Sequence, residues 1–243
     1  MCTFTFYPQK NGDSILTFNR DESPNRSNIE MVNDRKRGLI YPKDSLHGGT
    51  WLVCNPSRGR VVCLLNGAFV RHERQLPYGK SRGIMLLESM DFERVEDFFS
   101  KYDFTQIEPF TMVVIEKNAL FAFRWTGSMG VLNRPDRSQP QMWSSATLYD
   151  EKTQQMRRKW FTDAQNAKNG ALTPTDLWQF HQTGGAGDLE NALLMQRDSG
   201  VQTVSQAQVL LSFTTSQIQF HYHEFKNNAT IHHTLPMAVS QNG

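Results

Sequence analysis

Hydrophobic and polar residues alternate along much of this chain, and the alternating runs come in pairs. Residues 2–7 (CTFTFY) interleave Phe with Thr, as a half-buried strand does. Asn11-Gly12 is the strongest short-range hairpin signal, and residues 15–18 (ILTF) return as a second strand. A two-residue loop at that turn would set Cys2 opposite Asp21. Phe4, Asn19 and Asp21 would then share the face of Cys2, and Arg20 would point to the other. TWLVCN (50–55) and RVVCLLNG (60–67) flank Pro56–Gly59 and predict a second hairpin, with Cys63 opposite Leu52 and Cys54 opposite Val61. TMVVIE (111–116) with LFAFRW (120–125) predicts a third, and QVLLSFT (208–214) with IQFHYHEF (218–225) a late one. MWSSATLY (142–149) predicts a strand running into a loop.

Between these runs the period lengthens. Residues 79–102 carry helical spacing at Ile84 and Leu87, then at Phe92, Val95, Phe98 and Phe99, with Asp91 a candidate cap. Residues 150–168 and 175–182 predict two more helices, the latter opened by Thr173-Pro174. Residues 23–47 are polar, with two prolines and a basic run at Arg35–Arg37, and predict a long connecting segment bordering a site mouth. The tail after Lys226 predicts no element. Hairpins separated by blocks of helix give an α+β fold of antiparallel sheets covered by helices. With no internal repeat and no Pro/Ser-rich linker, residues 1–243 are expected to form one domain.

Composition narrows the picture by exclusion. Of 243 residues, 38% are hydrophobic and 21% charged, which is enough apolar material for a sizeable core and argues against disorder. Lys+Arg number 26 against 24 Asp+Glu, a net charge of +2 that gives no argument for nucleic acid or a membrane surface. No apolar run approaches the ~18 residues of a spanning helix, and the N-terminus lacks the pattern of a signal peptide. A cytoplasmic protein is expected. Three cysteines without a C-x-x-C make neither a disulfide framework nor a zinc knuckle, and reduced thiols are the expectation in such a compartment.

The question is then whether one thiol does chemistry. Cys2 follows the initiator Met, which aminopeptidases remove before small residues. A mature Cys2 would carry a thiol and a free α-amine whose ordinary pKa is ~7.7–8.0. A neutral amine can take the thiol proton, so nucleophile and base would share one residue. A nearby carboxylate such as Asp21 would orient the ammonium, and a nearby cation would favour the thiolate.

MCTF, followed some way on by Asn19-Arg20-Asp21-Glu22, resembles the NRDE family, also named after transport and Golgi organisation protein 2. Gly48–Leu52 (GGTWL) and the hairpin ending in Leu65-Asn66 carry the same resemblance. The match is strong over residues 1–67 and diffuse afterwards. The family is placed in the N-terminal nucleophile (Ntn) hydrolase superfamily, similar to choloylglycine hydrolases and acyl-CoA:penicillin acyltransferases. The resemblance implies a four-layer αββα sandwich. It implies Cys2 as nucleophile, Asp21 as the residue positioning its amine, and Asn66 as an oxyanion donor. Asn19, Glu22 and Trp51 belong to the two motifs and are expected to bind substrate. Two departures stand out. The hydrolases carry an Arg where this chain has Phe18, leaving Arg20 as the nearest Arg. A later oxyanion Asn corresponds to Ser145, a donor of shorter reach. Arg197 is carried over from a stretch, residues 195–205, that loosely resembles the acyltransferase branch.

Other constellations are weaker. His221 and His223 alternate on a strand, with His232-His233 nearby, a pattern that suits a metal or haem iron but also a half-exposed strand face. No acidic or thiol ligand sits at a matching spacing, so no metal and no cofactor is expected. Gly184–Gly187 lacks a preceding strand and reads as a loop. Arg157-Arg158-Lys159-Trp160 reads as a solvated helix face with one aromatic anchor. Two readings follow. The first is an N-terminal-cysteine amidohydrolase or acyltransferase acting on a small or lipid-like acyl compound. The second is a non-catalytic carrier of acyl-CoA, lipid or haem on the same scaffold. Neither involves nucleic acid or a membrane span.

Overall fold

A computed structural model describes residues 2–27, 29–73 and 77–237. The first hairpin joins β1 (Cys2–Pro8) to β2 (Ser14–Glu22). Its register differs from expectation by one residue: Cys2 pairs with Arg20, and Phe4 with Phe18. The turn explains the difference. Gly12 N–H donates to Gln9 O (2.9 Å) and Gln9 N–H to Asp13 O (2.8 Å), leaving Lys10, Asn11 and Gly12 as a three-residue loop. Gly12 takes φ 86°, the left-handed step that closes such a loop. Asp13 is held in place because its carboxylate accepts from Phe213 N–H (2.8 Å) and Ser212 Oγ (2.8 Å) in a neighbouring turn. A one-residue shift exchanges faces. Arg20 therefore shares the face of Cys2, and Asn19 and Asp21 occupy the other.

Around this hairpin lies a six-stranded antiparallel sheet. β1 has β10 (Gln141–Ser144) on its free side, and β2 is followed by β11 (Gln202–Ser212), β12 (Gln217–Glu224) and β13 (Ala229–Pro236). The stretch after Lys226, expected to be irregular, is the edge strand β13. Residues 238–243 lie outside the described residues.

A second antiparallel sheet has seven strands in chain order: β3 (Ile29–Asp34), β4 (Leu39–Asp44), β5 (Leu52–Asn55), β6 (Arg60–Asn66), β7 (Phe110–Ile115), β8 (Leu120–Trp125) and β9 (Gly130–Asn133). Within the expected connecting segment 23–47, residues 29–44 form a hairpin, β3–β4, preceded by a 3-10 turn at Pro24–Arg26; Asn28 lies outside the described residues. The register of β5 and β6 is as expected, Leu52 with Cys63 and Cys54 with Val61.

Among the described residues there are four α-helices, α1 (Arg82–Ser89), α2 (Val95–Lys101), α3 (Glu151–Ala167) and α4 (Pro174–Thr183), and two short 3-10 turns at Pro24–Arg26 and Pro56–Arg58. Thr173 caps α4 through a reciprocal bond with Asp176. Arg94, not Asp91, precedes α2, and Asp91 instead pairs with Arg37 at 2.7 Å. Three apolar cores fix the layering. Phe4, Phe18, Val209 and Phe220 of the six-stranded sheet pack with Cys54, Cys63, Leu65 and Val113 of the seven-stranded one. Met85, Leu86 and Phe98 join α1 and α2 to the outer face of the second sheet. Phe161, Leu177 and Phe180 join α3 and α4 to the outer face of the first. Among the described residues no helix is long and apolar enough to cross a membrane.

Two glycines bring α1 against the Gly48–Leu52 motif. A Cβ on Gly49 would lie 2.7 Å from the carbonyl carbon of Gly83, and one on Gly83 would lie 2.8 Å from Thr50 N. Both close contacts are to backbone, which cannot rotate away. Gly49→Ala is expected to destabilise the protein by about 1–3 kcal/mol. The midpoint of urea unfolding measures this, and an unchanged midpoint would mean that the two backbones separate without cost.

Candidate active site

At one end of the space between the sheets is a cavity of about 360 Å³. Its lining includes Cys2, Arg20 and Glu22 from the first sheet, Asp44 and Asn66 from the second, and Trp51 from the bend just before β5. The start of α1 closes it. The sequence-derived candidates Cys2, Arg20, Glu22, Trp51 and Asn66 therefore meet in one place.

Cys2 begins β1 and is 3% exposed. Burial pushes its thiol above the ordinary range, while the charges of Asp21 and Arg20 act on it in opposite directions. Cys54 and Cys63 are also free but buried between the sheets. Burial pushes both of their thiols up, with no cation among the causes.

Arg20 shares its row with Cys2 and is braced on three sides. It donates to Asp44 Oδ2 at 3.0 Å and to Arg26 O at 2.7 Å, and its guanidinium lies 4.3 Å from the centre of the Trp51 ring. Arg26 bridges Glu22 (2.7 Å) and Asp44 (2.5 Å). Asp44 also accepts from the amides of Leu46 and His47, at 3.0 and 3.2 Å. Burial alone would raise the Asp44 carboxyl, but the hydrogen bond from Arg26 and the charges of Arg26 and Arg20 outweigh it and hold the group low. Glu22 is likewise held low against burial, by the charge of the N-terminal amine, then by the Ser23 amide and the same two arginines.

Ser145 is placed beside Asn66. Its amide donates to Cys2 O (2.9 Å), and its hydroxyl donates to Asn66 O (2.8 Å) and lies 3.0 Å from Thr147 Oγ1. It ties the start of β1 to the end of β6.

Asn19 and Asp21 lie on the opposite face of β2, under α3 and α4. Asp21 is fully buried; Tyr149 Oη donates to its Oδ2 and Thr203 Oγ1 to its Oδ1, both at 2.7 Å. Burial raises the Asp21 carboxyl, opposed by the charge of Arg157 and by those two hydroxyl donors. Asn19 donates to the carbonyls of His181 and Leu193 at 2.8 Å and faces His181 Nδ1 at 3.1 Å, so it braces α4. His181 is pushed down to about 3 by burial and by the charge of Arg157, so its ring is neutral. Arg197 is half-buried on this side, with its guanidinium 5.2 Å from the Tyr149 ring centre. Asp21, Asn19, Ser145 and Arg197 are thus not among the groups lining the cavity.

The sequence reading missed Asp44, Arg26, Tyr149 and Thr203, and it placed Arg157 wrongly. The expected solvated face at 157–160 fails at Arg157, which is fully buried. A signal existed: Arg157 stands four residues before Phe161, and these two are the buried residues of α3.

His221, His223 and His232 line a second groove of about 400 Å³ with Trp178, whereas His233 pairs with Phe220 and so faces the other side of the sheet. Among the described residues no three His, Cys, Asp or Glu side chains are grouped so as to hold a metal ion. A family model described as Transport and Golgi organisation 2 matches residues 1–222. No curated protein matches the chain.

Proposed function

The chain belongs to the Transport and Golgi organisation 2 family, and on that premise we propose that it is an N-terminal-cysteine amidohydrolase or acyltransferase, a single Ntn-hydrolase-like αββα domain. The observation that carries this reading is the position of Cys2. Its side chain lines the cavity, while Asp21, one residue beyond its strand partner Arg20, lies close enough for its charge to act on the thiol. Removal of Met1, which lies outside the described residues, would free the amine that the reaction needs.

The amine takes the proton of the Cys2 thiol, and the thiolate attacks the carbonyl carbon of an amide or thioester. The amine returns that proton to the leaving nitrogen or sulfur, and an acyl-cysteine remains. Water or an acceptor amine then attacks the acyl carbon and gives its proton to the α-amine, which passes it to the departing sulfur and so restores the thiol and the neutral amine. Asp21 orients the ammonium, and Asn66 donates to the oxyanion. Ser145, through its bond to Asn66 O, fixes Asn66. A missing second oxyanion donor would slow the reaction by about 10²–10³-fold.

The cavity favours a small polar acyl compound over a lipid, because Arg20, Glu22, Arg26, Asp44 and Lys80 all line it. Three free thiols suit a reducing, cytoplasmic setting. One observation favours the alternative, a non-catalytic carrier of acyl-CoA, lipid or haem: burial raises the Cys2 thiol, which works against thiolate formation.

The intact mass of the purified protein is the deciding measurement, followed by acetylation with p-nitrophenyl acetate. The expected result is a chain lacking one methionine residue that carries one acetyl group on Cys2, and no such group in Cys2→Ala. Retention of Met1, or equal acetylation of the variant, would overturn the assignment.

A further inference from the structure

Arg157 is the largest fully buried side chain among the described residues. A buried cation is costly unless a negative group balances it, yet Arg157 touches no carboxylate among the described residues. Its Nε donates to Asn191 O (3.0 Å), its Nη2 to Ala192 O (2.6 Å) and its Nη1 to Thr3 Oγ1. The guanidinium lies 3.5 Å from the centre of the Tyr149 ring. Tyr149 in turn donates its hydroxyl to Asp21. The cation and the carboxylate thus sit on either side of one phenol. Asp21 is buried too, so each charge is the other's compensation.

The groups around Asp21 are few. Arg157 comes from α3, Tyr149 from the segment after β10 with Arg197 over its ring, Thr203 from β11, and Cys2 from β1, on whose thiol the charge of Arg20 also acts. His181 of α4 is neutral. Two hydroxyl donors occupy one lone pair on each carboxylate oxygen, leaving the others for the α-ammonium of a processed Cys2.

We propose that Arg157 and Tyr149 are positioning residues for the Cys2 amine: Arg157 keeps Asp21 ionised, and Tyr149 aims that carboxylate. This inference rests on the N-terminal-cysteine reading. It extends the site through Asp21 to a helix on the far side of the sheet, where no motif residue lies.

The test is the pH midpoint of Cys2 alkylation by iodoacetamide in the Met1-processed protein. An ionised Asp21 makes the first proton loss from the thiol–ammonium pair harder. Asp21→Asn is therefore expected to lower the midpoint by about one pH unit. Arg157→Met is expected to lower it similarly, because Asp21 then takes up a proton. Removing a cation that acted only as background charge would raise the midpoint, and a merely structural residue would not move it. In the Asp21→Asn background, Arg157→Met should no longer lower the midpoint. Arg157→Lys should keep the native midpoint.

Should Arg157→Met fail to fold, Tyr149→Phe keeps the ring under the guanidinium and removes the hydroxyl that Asp21 and Arg157 share, and it should move the midpoint down. An unmoved or raised midpoint in Arg157→Met, or an unmoved one in Tyr149→Phe, beside a lowered one in Asp21→Asn would overturn the proposal alone. An unmoved midpoint in Asp21→Asn would remove the N-terminal-cysteine reading and this proposal with it.

Discussion

Cys2→Ala is expected to abolish acyl-enzyme formation and to cut turnover of any amide or thioester the native protein cleaves by about 10⁴–10⁶-fold, the scale seen when a covalent nucleophile is removed. The loss should fall on kcat. Cys2 contributes one small side chain to a cavity whose polar contacts come from Arg20, Arg26, Glu22 and Asp44. Ligand affinity, measured by calorimetry on the variant, should stay within about threefold, a change of well under 1 kcal/mol. Aminopeptidases process Met before Ala as before Cys, so the variant keeps a free α-amine and isolates the thiol. A carrier would keep its affinity in the same way but show no acyl-enzyme and no turnover before or after the substitution. Turnover equal to that of the native protein would end the catalytic assignment, however the site is arranged.

The hairpins and the two blocks of helix were legible because their apolar faces meet other apolar faces. Val61, Cys63 and Leu65 of β6 face the other sheet, while Val62 and Leu64 face α1 and α2, which is why that strand reads as a continuous apolar run. The register of the first hairpin was not legible. Asn11-Gly12 signals a turn equally in a two-residue and a three-residue loop, and Asp13 is held by contacts from residues 212–214, far along the chain. Edge strands were missed for another reason. β9 and β13 are paired on one side and largely exposed; β13 turns only Ile231 and Leu235 toward the core, with His233 between them, and the four residues of β9 are too few to show a period.

The least legible part of the site lies on the outer face of the six-stranded sheet. Thr3, Thr5, Thr17, Asn19, Gln206 and Gln208 alternate with apolar residues as solvent-facing positions do, yet all six are buried under α3 and α4. Hydrogen bonds make that burial tolerable: Thr5 to His181 at 2.8 Å, Gln208 to Thr17 at 3.1 Å, and Gln206 to Trp178 O at 2.9 Å. A polar layer of this kind is indistinguishable in sequence from a wet one. Its members Asp21, Tyr149 and Arg157 could be united only by the fold. The inner half of the site was the converse. Cys2, Asn66 and Trp51 were legible as motif residues, but Asp44, which anchors both Arg20 and Arg26, lies in a segment with no chemical signature.

Asp44→Ala is expected to destabilise the protein by about 3–5 kcal/mol, because it removes the shared partner of two arginines. Arg20 is the costlier loss. Its side chain is 3% exposed, so its charge would stay buried with one carbonyl and the Trp51 ring, whereas Arg26, 31% exposed, keeps Glu22 and water. The pH dependence has a definite sign. The folded-state pKa of Asp44 is held below its unfolded value, ~3.9, so its contribution is present above that value and disappears as pH falls through the lower folded one. Urea unfolding of the native protein should therefore show stability falling below about pH 4, with Glu22 adding to the slope. Asp44→Ala should be weaker at pH 7 and show a shallower acid slope, so that the two proteins converge at low pH. Trp51 fluorescence gives a local check, since a released Arg20 no longer stacks on the indole. Parallel curves separated by a constant amount from pH 7 to pH 2 would mean that the loss is one of packing and that the carboxylate does not hold the arginines. Convergence would assign the energy to the charge itself. The row that seats Arg20 beside Cys2 would then depend on Asp44 remaining ionised.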